Sequence, residues 1–193
     1  RLNIIPSFII VKNRDDTQSW LVGMTALGWT KNLHLNETSA VETTTNIWND
    51  TAPTSTVFTV GTNTKCNTDD EDYIAYVFVE KTGYSKFGSY YGNGSSDGAF
   101  VYTGFRPEFT LIKPSSATQN WQIHDTKRDG YNVKNDNLAP NNTAAEADNQ
   151  FMDILSNGFK LRSSTYSASS TTYIYMAFGQ TLVGSNNVPN NAR

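Results

Sequence analysis

PSFIIVKNRDDTQSWLVGMT, residues 6–25, decides the reading, because PEFTLIKPSSATQNWQIHDT, residues 107–126, aligns on it without a gap. Pro6, Phe8, Lys12, Thr17, Gln18, Trp20 and Thr25 recur as Pro107, Phe109, Lys113, Thr118, Gln119, Trp121 and Thr126. Further along, LHLNETSA (33–40) answers LAPNNTAA (138–145), with Asn36, Thr38 and Ala40 against Asn141, Thr143 and Ala145. Phe58 answers Phe159, and YIAYVF (73–78) answers YIYMAF (173–178). The offset is 101 at Phe8/Phe109, 105 at Asn36/Asn141 and 100 at Tyr73/Tyr173. Matching blocks in one order and at a near-constant spacing imply a tandem duplication. Two repeats, about 6–82 and 107–180, are joined by an aromatic and Gly-rich segment, 83–106.

Each repeat reads as a strand ending in Lys, a turn, a Trp-bearing strand, an Asn/Thr-rich loop and further strands. Polar clusters such as Asn13-Arg14-Asp15-Asp16 separate apolar runs as turns do, and GNGSSDG (92–98) reads as a tight connection of hairpin type. Strands are expected at 7–12, 19–25, 31–36, 56–61, 73–80, 85–91, 99–104, 108–113, 120–125, 158–162 and 172–178, with one short helix within 144–155 ended by Asn157-Gly158. The run around Tyr73 is apolar at odd and even positions, so both of its faces are expected to be covered, one of them by a loop, a layer or a neighbouring subunit. Trp20 and Trp121 are expected as core anchors, and Lys12 and Lys113 as closures of equivalent strand ends.

Composition agrees with this. Asn, Thr, Ser, Gly and Tyr are plentiful and aromatic residues reach 12%, a balance that favours strands and turns. The fold class is therefore all-β, an antiparallel β-sandwich. With 193 residues and too few strands per repeat to cover two faces, a single sandwich domain over 1–193 is expected. A net charge of −3 without a basic stripe argues against nucleic acid as partner. No apolar run is long enough to span a bilayer, so no membrane insertion is expected. The start at Arg1 reads as the processed or ordered part of a longer polypeptide, this being its carboxyl-terminal region.

Chemistry-bearing residues are few. Cys66 stands alone, so neither a disulfide nor a thiolate zinc site is spelled out. A hydrolytic triad needs a histidine, and His34 and His124 both read as structural. Asp69, Asp70, Glu71 and Asp72 form an acidic run for which Ca2+ is the cofactor to consider, with Asp69, Asp70 and Asp72 as ligands, against a solvated turn. No Lys-Ser/Thr follows the Gly-rich stretch, which is thus no phosphate loop. The aromatic crowd between the repeats suits sugars, which stack on ring faces while Asn and Asp exchange hydrogen bonds. Tyr84, Tyr90, Tyr91, Asn93, Asp97 and Tyr102 are the glycan-binding candidates.

The segment GYSKFGSYYGNGSSDGAFVYTGFRPEFTLIKPSSATQNWQIHDTKRDGYN (83–132), continued by LSNGFKLR (155–162) and YIYMAF, resembles an uncharacterised domain family of tailed-bacteriophage virion proteins, marine and cyanobacterial phages in particular. The ending VGSNNVPNNAR (183–193) looks like that family's usual carboxyl terminus. The resemblance implies a tail-fibre, tailspike or other virion-surface protein whose carboxyl-terminal region is a β-sandwich of jelly-roll type, concanavalin- or laminin-G-like. It transfers no catalytic or ligand residue. The leading expectation is a non-enzymatic module that assembles with copies of itself, a trimer among the states considered, and with other virion proteins, and that adheres to host-surface glycan. A purely structural decoration or tail-assembly module is the second reading. A polysaccharide depolymerase is the third, and it would need a carboxylate pair among residues such as Asp97, Glu108, Asp125 and Asp129.

Overall fold

The computed structural model describes residues 3–128 and 132–180. The strands run β1 (Phe8–Asn13), β2 (Leu21–Met24), β3 (Lys31–His34), β4 (Glu42–Thr43), β5 (Tyr73–Phe78), β6 (Ser85–Tyr91), β7 (Phe100–Tyr102), β8 (Pro107–Pro114), β9 (Gln122–Asp125), β10 (Lys134–Asn137), β11 (Ala147–Leu155), β12 (Gly158–Leu161) and β13 (Thr172–Gly179). Three antiparallel sheets result, ordered β4-β3-β2-β1-β5, β6-β13-β8-β9 and β10-β11-β12-β7. Among the described residues the only helical turn is a short 3-10 piece, Thr165–Ser167. The fold is all-β and sandwich-like.

Alternation of side chains along each strand stacks the sheets. Phe8, Ile10, Val22 and Met24 of the first sheet meet Phe87, Leu111, Trp121 and Met176 of the second. The second sheet turns Ile112, Tyr173, Tyr175 and Ala177 the other way, onto Val101, Phe151, Phe159 and Leu161 of the third. The outer face of the first sheet, Ile9, Val11 and Leu21, lies under Ile47, Trp48 and Cys66 of the irregular segment 44–70. Continuous apolar runs in β1 and β13 are thereby explained, since both faces of each strand are buried.

The aligned segments of the two halves pair identically. Phe8↔Met24 and Ile10↔Val22 in β1/β2 match Phe109↔Asp125 and Leu111↔Ile123 in β8/β9. Phe8↔Phe78 and Lys12↔Ile74 match Phe109↔Phe178 and Lys113↔Ile174. Even Val22↔Leu33 has its match in the bridge Ile123↔Leu138. The side chains repeat too: Asn36 accepts from the Trp20 amide at 2.9 Å, and Asn141 from the Trp121 amide at 2.8 Å.

Several expectations are corrected. The segment 147–155 is strand β11 rather than a helix, because Phe151, Met152, Asp153 and Ile154 are all buried and a helix would expose part of that run. Residues 56–61 form no strand: the Thr54 hydroxyl accepts from the amides of Thr56 and Val57, a local turn that competes with ladder pairing. GNGSSDG closes no hairpin, for β6 and β7 belong to different sheets and the loop crosses between layers. Gly92 permits that crossing, since a Cβ there would sit 2.1 Å from the Ala168 carbonyl oxygen. β5 is an edge strand with Ile74, Ala75 and Tyr76 exposed, so within one copy of the chain neither a loop nor a layer among the described residues covers its second face. Trp121 is a buried anchor, but Trp20 is half-buried, its ring stacked 6.3 Å from Tyr76. The ending 183–193 lies outside the described residues.

The two lysines close their turns alike. Lys12 donates to the carbonyls of Asn13 and Asp16, and Lys113 donates to those of Pro114 at 2.8 Å and Ala117 at 3.3 Å. Lys113 also reaches the Thr38 carbonyl at 3.1 Å and so ties the two halves together. It is fully buried, and burial pulls its ammonium down to about 8. Lys113→Met strips three carbonyls of a charged donor and should cost about 2 kcal/mol in urea unfolding, whereas the more exposed Lys12→Met should cost under about 1 kcal/mol. Equal losses would contradict this assignment.

Candidate functional site

The outer face of the third sheet gathers aromatic and charged groups. β7 buries Val101 and turns Phe100 and Tyr102 to solvent, 47% and 62% exposed. Two residues apart on a strand, the rings share a face about 7 Å apart. Across the ladder Phe100 pairs with Lys160, and Lys160 pairs with Asp153. Tyr102 pairs with Gly158, so no side chain stands beside that ring. Lys160 Nζ lies 3.0 Å from Asp97 Oδ1, and Arg162 joins Asp97 at 3.1 Å to Asp153 at 2.7 Å. The Lys160 hydrogen bond and charge, with Arg162 beside them, hold the Asp97 carboxyl below its ordinary range. Two ring faces flanked by a row of fixed ions can stack on an apolar ring face and exchange hydrogen bonds with hydroxyls around it.

Of the residues chosen from the sequence, the structure brings Tyr102 and Asp97 to this surface. Asn93 builds the loop beneath: its Oδ1 accepts from Ser167 Oγ at 2.7 Å and its Nδ2 donates to the Asp97 carbonyl at 2.9 Å. Tyr90 is a core residue, stacked on Tyr173 at 4.8 Å with its hydroxyl donating to the Tyr166 carbonyl at 2.9 Å. Burial and its tyrosine neighbours push that phenol well up. Tyr91 is exposed but alternates with Tyr90 and so projects from the opposite face of β6. Tyr84 sits at the far end of that strand, about 20 Å away. It lines a cavity of about 530 Å3 with Val77, Phe78, Val79 and Phe178. Phe100, Lys160 and Arg162 were missed as site residues, although period-two spacing in FVY and KLR announces both pairs.

The architecture and this surface being in place, comparison supplies a family. The chain belongs to the DUF7483 family. The family model, a domain of unknown function, matches residues 1–181. No curated protein and no solved structure matches.

In this DUF7483 domain the acidic run is dispersed. The Asp72 amide bonds to Asp15 and its carboxylate lies 3.8 Å from Arg14, while Glu71 turns to Asn13 and Tyr73. Among the described residues no group of three or more His, Cys, Asp or Glu is placed to hold a metal ion, so the geometry adds nothing in support of Asp69, Asp70 and Asp72 as Ca2+ ligands. Asp125 is engaged by Arg128 at 2.6 Å, and Asp129 lies outside the described residues. His34 is buried, with Nδ1 2.8 Å from Glu37 and Nε2 3.2 Å from Asn32.

His124 is also buried, against Phe151 at 4.1 Å, with Nδ1 3.2 Å from the Asp136 carbonyl and Nε2 without a partner. Burial depresses its imidazole from 6.5 to about 4. The unfolded chain thus takes up this proton first as pH falls, so stability is full above 6.5 and is lost towards 4, by at most about 3 kcal/mol. Urea unfolding between pH 7 and pH 5 should show this loss, and His124→Gln should flatten it. An unchanged slope in the variant would refute the assignment.

Proposed function

We propose that this DUF7483 domain is a non-enzymatic display module on the surface of a phage virion, of tail-fibre or tailspike type. Its third sheet adheres to host-surface glycan, and copies of the chain assemble with one another and with other virion proteins. The observation that carries the reading is the exposed Phe100–Tyr102 pair beside the Asp97–Lys160–Arg162–Asp153 row. The architecture proposed for it is a jelly-roll-like sandwich of concanavalin or laminin-G type, derived from a tandem duplication. The matching registers of β1/β2/β5 and β8/β9/β13 support the duplication.

The depolymerase reading has one feature in its favour, two carboxylates bridged by Arg162. Hydrolysis needs one of such a pair protonated near neutrality, however, and Asp97 is shifted the other way. Asp97 suits hydrogen bonding to hydroxyls better than proton donation.

Glycan arrays and host polysaccharide probed with the full chain should give binding. Phe100→Ala and Tyr102→Ala should each weaken it about tenfold, with unfolding midpoints unchanged because both rings are exposed. Absence of binding to the host's own polysaccharide would sink the adhesive role, and binding unaffected by both variants would remove this surface from it.

A further inference from the structure

Among the described residues β5 has a strand on one side only. Arg14 donates to the Asp72 carbonyl at 2.8 Å, so the even-numbered residues of β5 bond to β1. By ladder alternation Tyr73, Ala75 and Val77 direct their N–H and C=O groups outward, and no strand among the described residues lies beyond them. The counterpart β13 is not left so: β6 lies along the corresponding edge, with Tyr175↔Gly88 and Met176↔Phe87. The consequence shows in burial. Ile174 and Met176 are 1% and 4% exposed, whereas their counterparts Ile74 and Tyr76 are 37% and 42% exposed. β5 also lacks what guards a free edge, with no charge, proline or bulge in YIAYVF. Exposed Ile4, Ile5 and Val57 extend the apolar surface, the first and last of them meeting Val77 in one cavity, and the cavity beside Tyr84 opens on Val77 from another side.

We infer that the free edge of β5 is a dimerisation strand, which pairs antiparallel with β5 of a second copy about a twofold axis at Ala75. This deepens the self-assembly part of the proposed function and is independent of the glycan surface. The outward-facing groups of Tyr73, Ala75 and Val77 fix the register. Ala75 meets Ala75, Tyr73 meets Val77, and Tyr76 of one copy stands opposite Ile74 of the other, twice over. Each exposed apolar side chain thus covers the other's partner across a closely spaced pair. A small residue falls at the axis, as Gly88 does opposite Tyr175. Beyond the strand Glu80 is already matched by Lys86 at 3.0 Å. The contact is isologous and closes at two copies.

Sedimentation equilibrium of the full chain at tens of micromolar should give a dimer. Tyr76→Lys and Ile74→Lys should each shift it to monomer, with the circular dichroism spectrum retained. Ala75→Cys should form a covalent dimer under mild oxidation, because directly opposed residues of a bonded pair lie within disulfide reach; Thr56→Cys should not. A monomeric wild type, or a higher oligomer indifferent to the lysine variants, would overturn the inference. So would equal cross-linking of the two cysteine variants, which also decides the matter if a lysine variant fails to fold. Glycan binding measured on the same samples separates this outcome from the adhesive reading, since the lysine variants should keep it.

Discussion

The contact between the first and second sheets governs the molecule. Phe8, Phe78, Phe87 and Phe178 meet there with ring centres about 6 Å apart, the Phe8–Phe87 pair at 6.0 Å and the Phe87–Phe178 pair at 5.8 Å. A slip of one residue in β1 would turn Phe8 and Ile10 outward and bring Ile9 and Val11 inward, so this layer fixes register on both sides. Everything else hangs on it. The third sheet packs on the reverse of the second, and the Trp48 segment packs on the reverse of the first.

The all-β class and the central strands were legible because β1 and β13 carry continuous apolar runs and turn residues bound the apolar segments. The repeat matched equivalent strands of the two halves, but which strands pair was not legible from it. The middle of each half was not legible, since it depends on which polar side chains satisfy the backbone locally. Asn63 and Thr54 bond neighbouring amides and keep the first half irregular, whereas the second half lays down β10, β11 and β12 over the same face. The helix expected at 144–155 failed for the complementary reason: burial of consecutive residues from Phe151 to Ile154 overrides local preference. At the outer surface of the third sheet, aromatic content drew attention to the segment but not to Phe100, because Tyr90 and Tyr91 alternate between core and opposite face while Phe100 and Tyr102 share one.

Matched backbones differ in what fills them. Gly23 and His124 occupy the same register position, opposite Ile9 and Thr110. A Cβ at Gly23 would lie 2.6 Å from the Trp48 ring, so the irregular segment fills that space from above. In the second half His124 supplies its own ring, which packs tilted against Phe151. The acid sensitivity expected of the fold is therefore a by-product of covering one sheet with strands and the other with a loop. It concerns packing and carries no implication of proton transfer.

The two exposed features lie on opposite sides of the second sheet, the aromatic platform on the third sheet and the free edge on the first. Pairing through β5 consequently consumes no group of the platform, and a dimer presents two platforms held by one continuous sheet. Single sugar contacts through two rings are weak. A rigid linkage of two such faces makes the second contact effectively intramolecular, and its gain depends on the spacing of the glycan repeats matching the span between platforms. The proposed adhesion would thus be a property of the proposed assembly more than of one chain, with the unguarded sheet edge as the element that couples them.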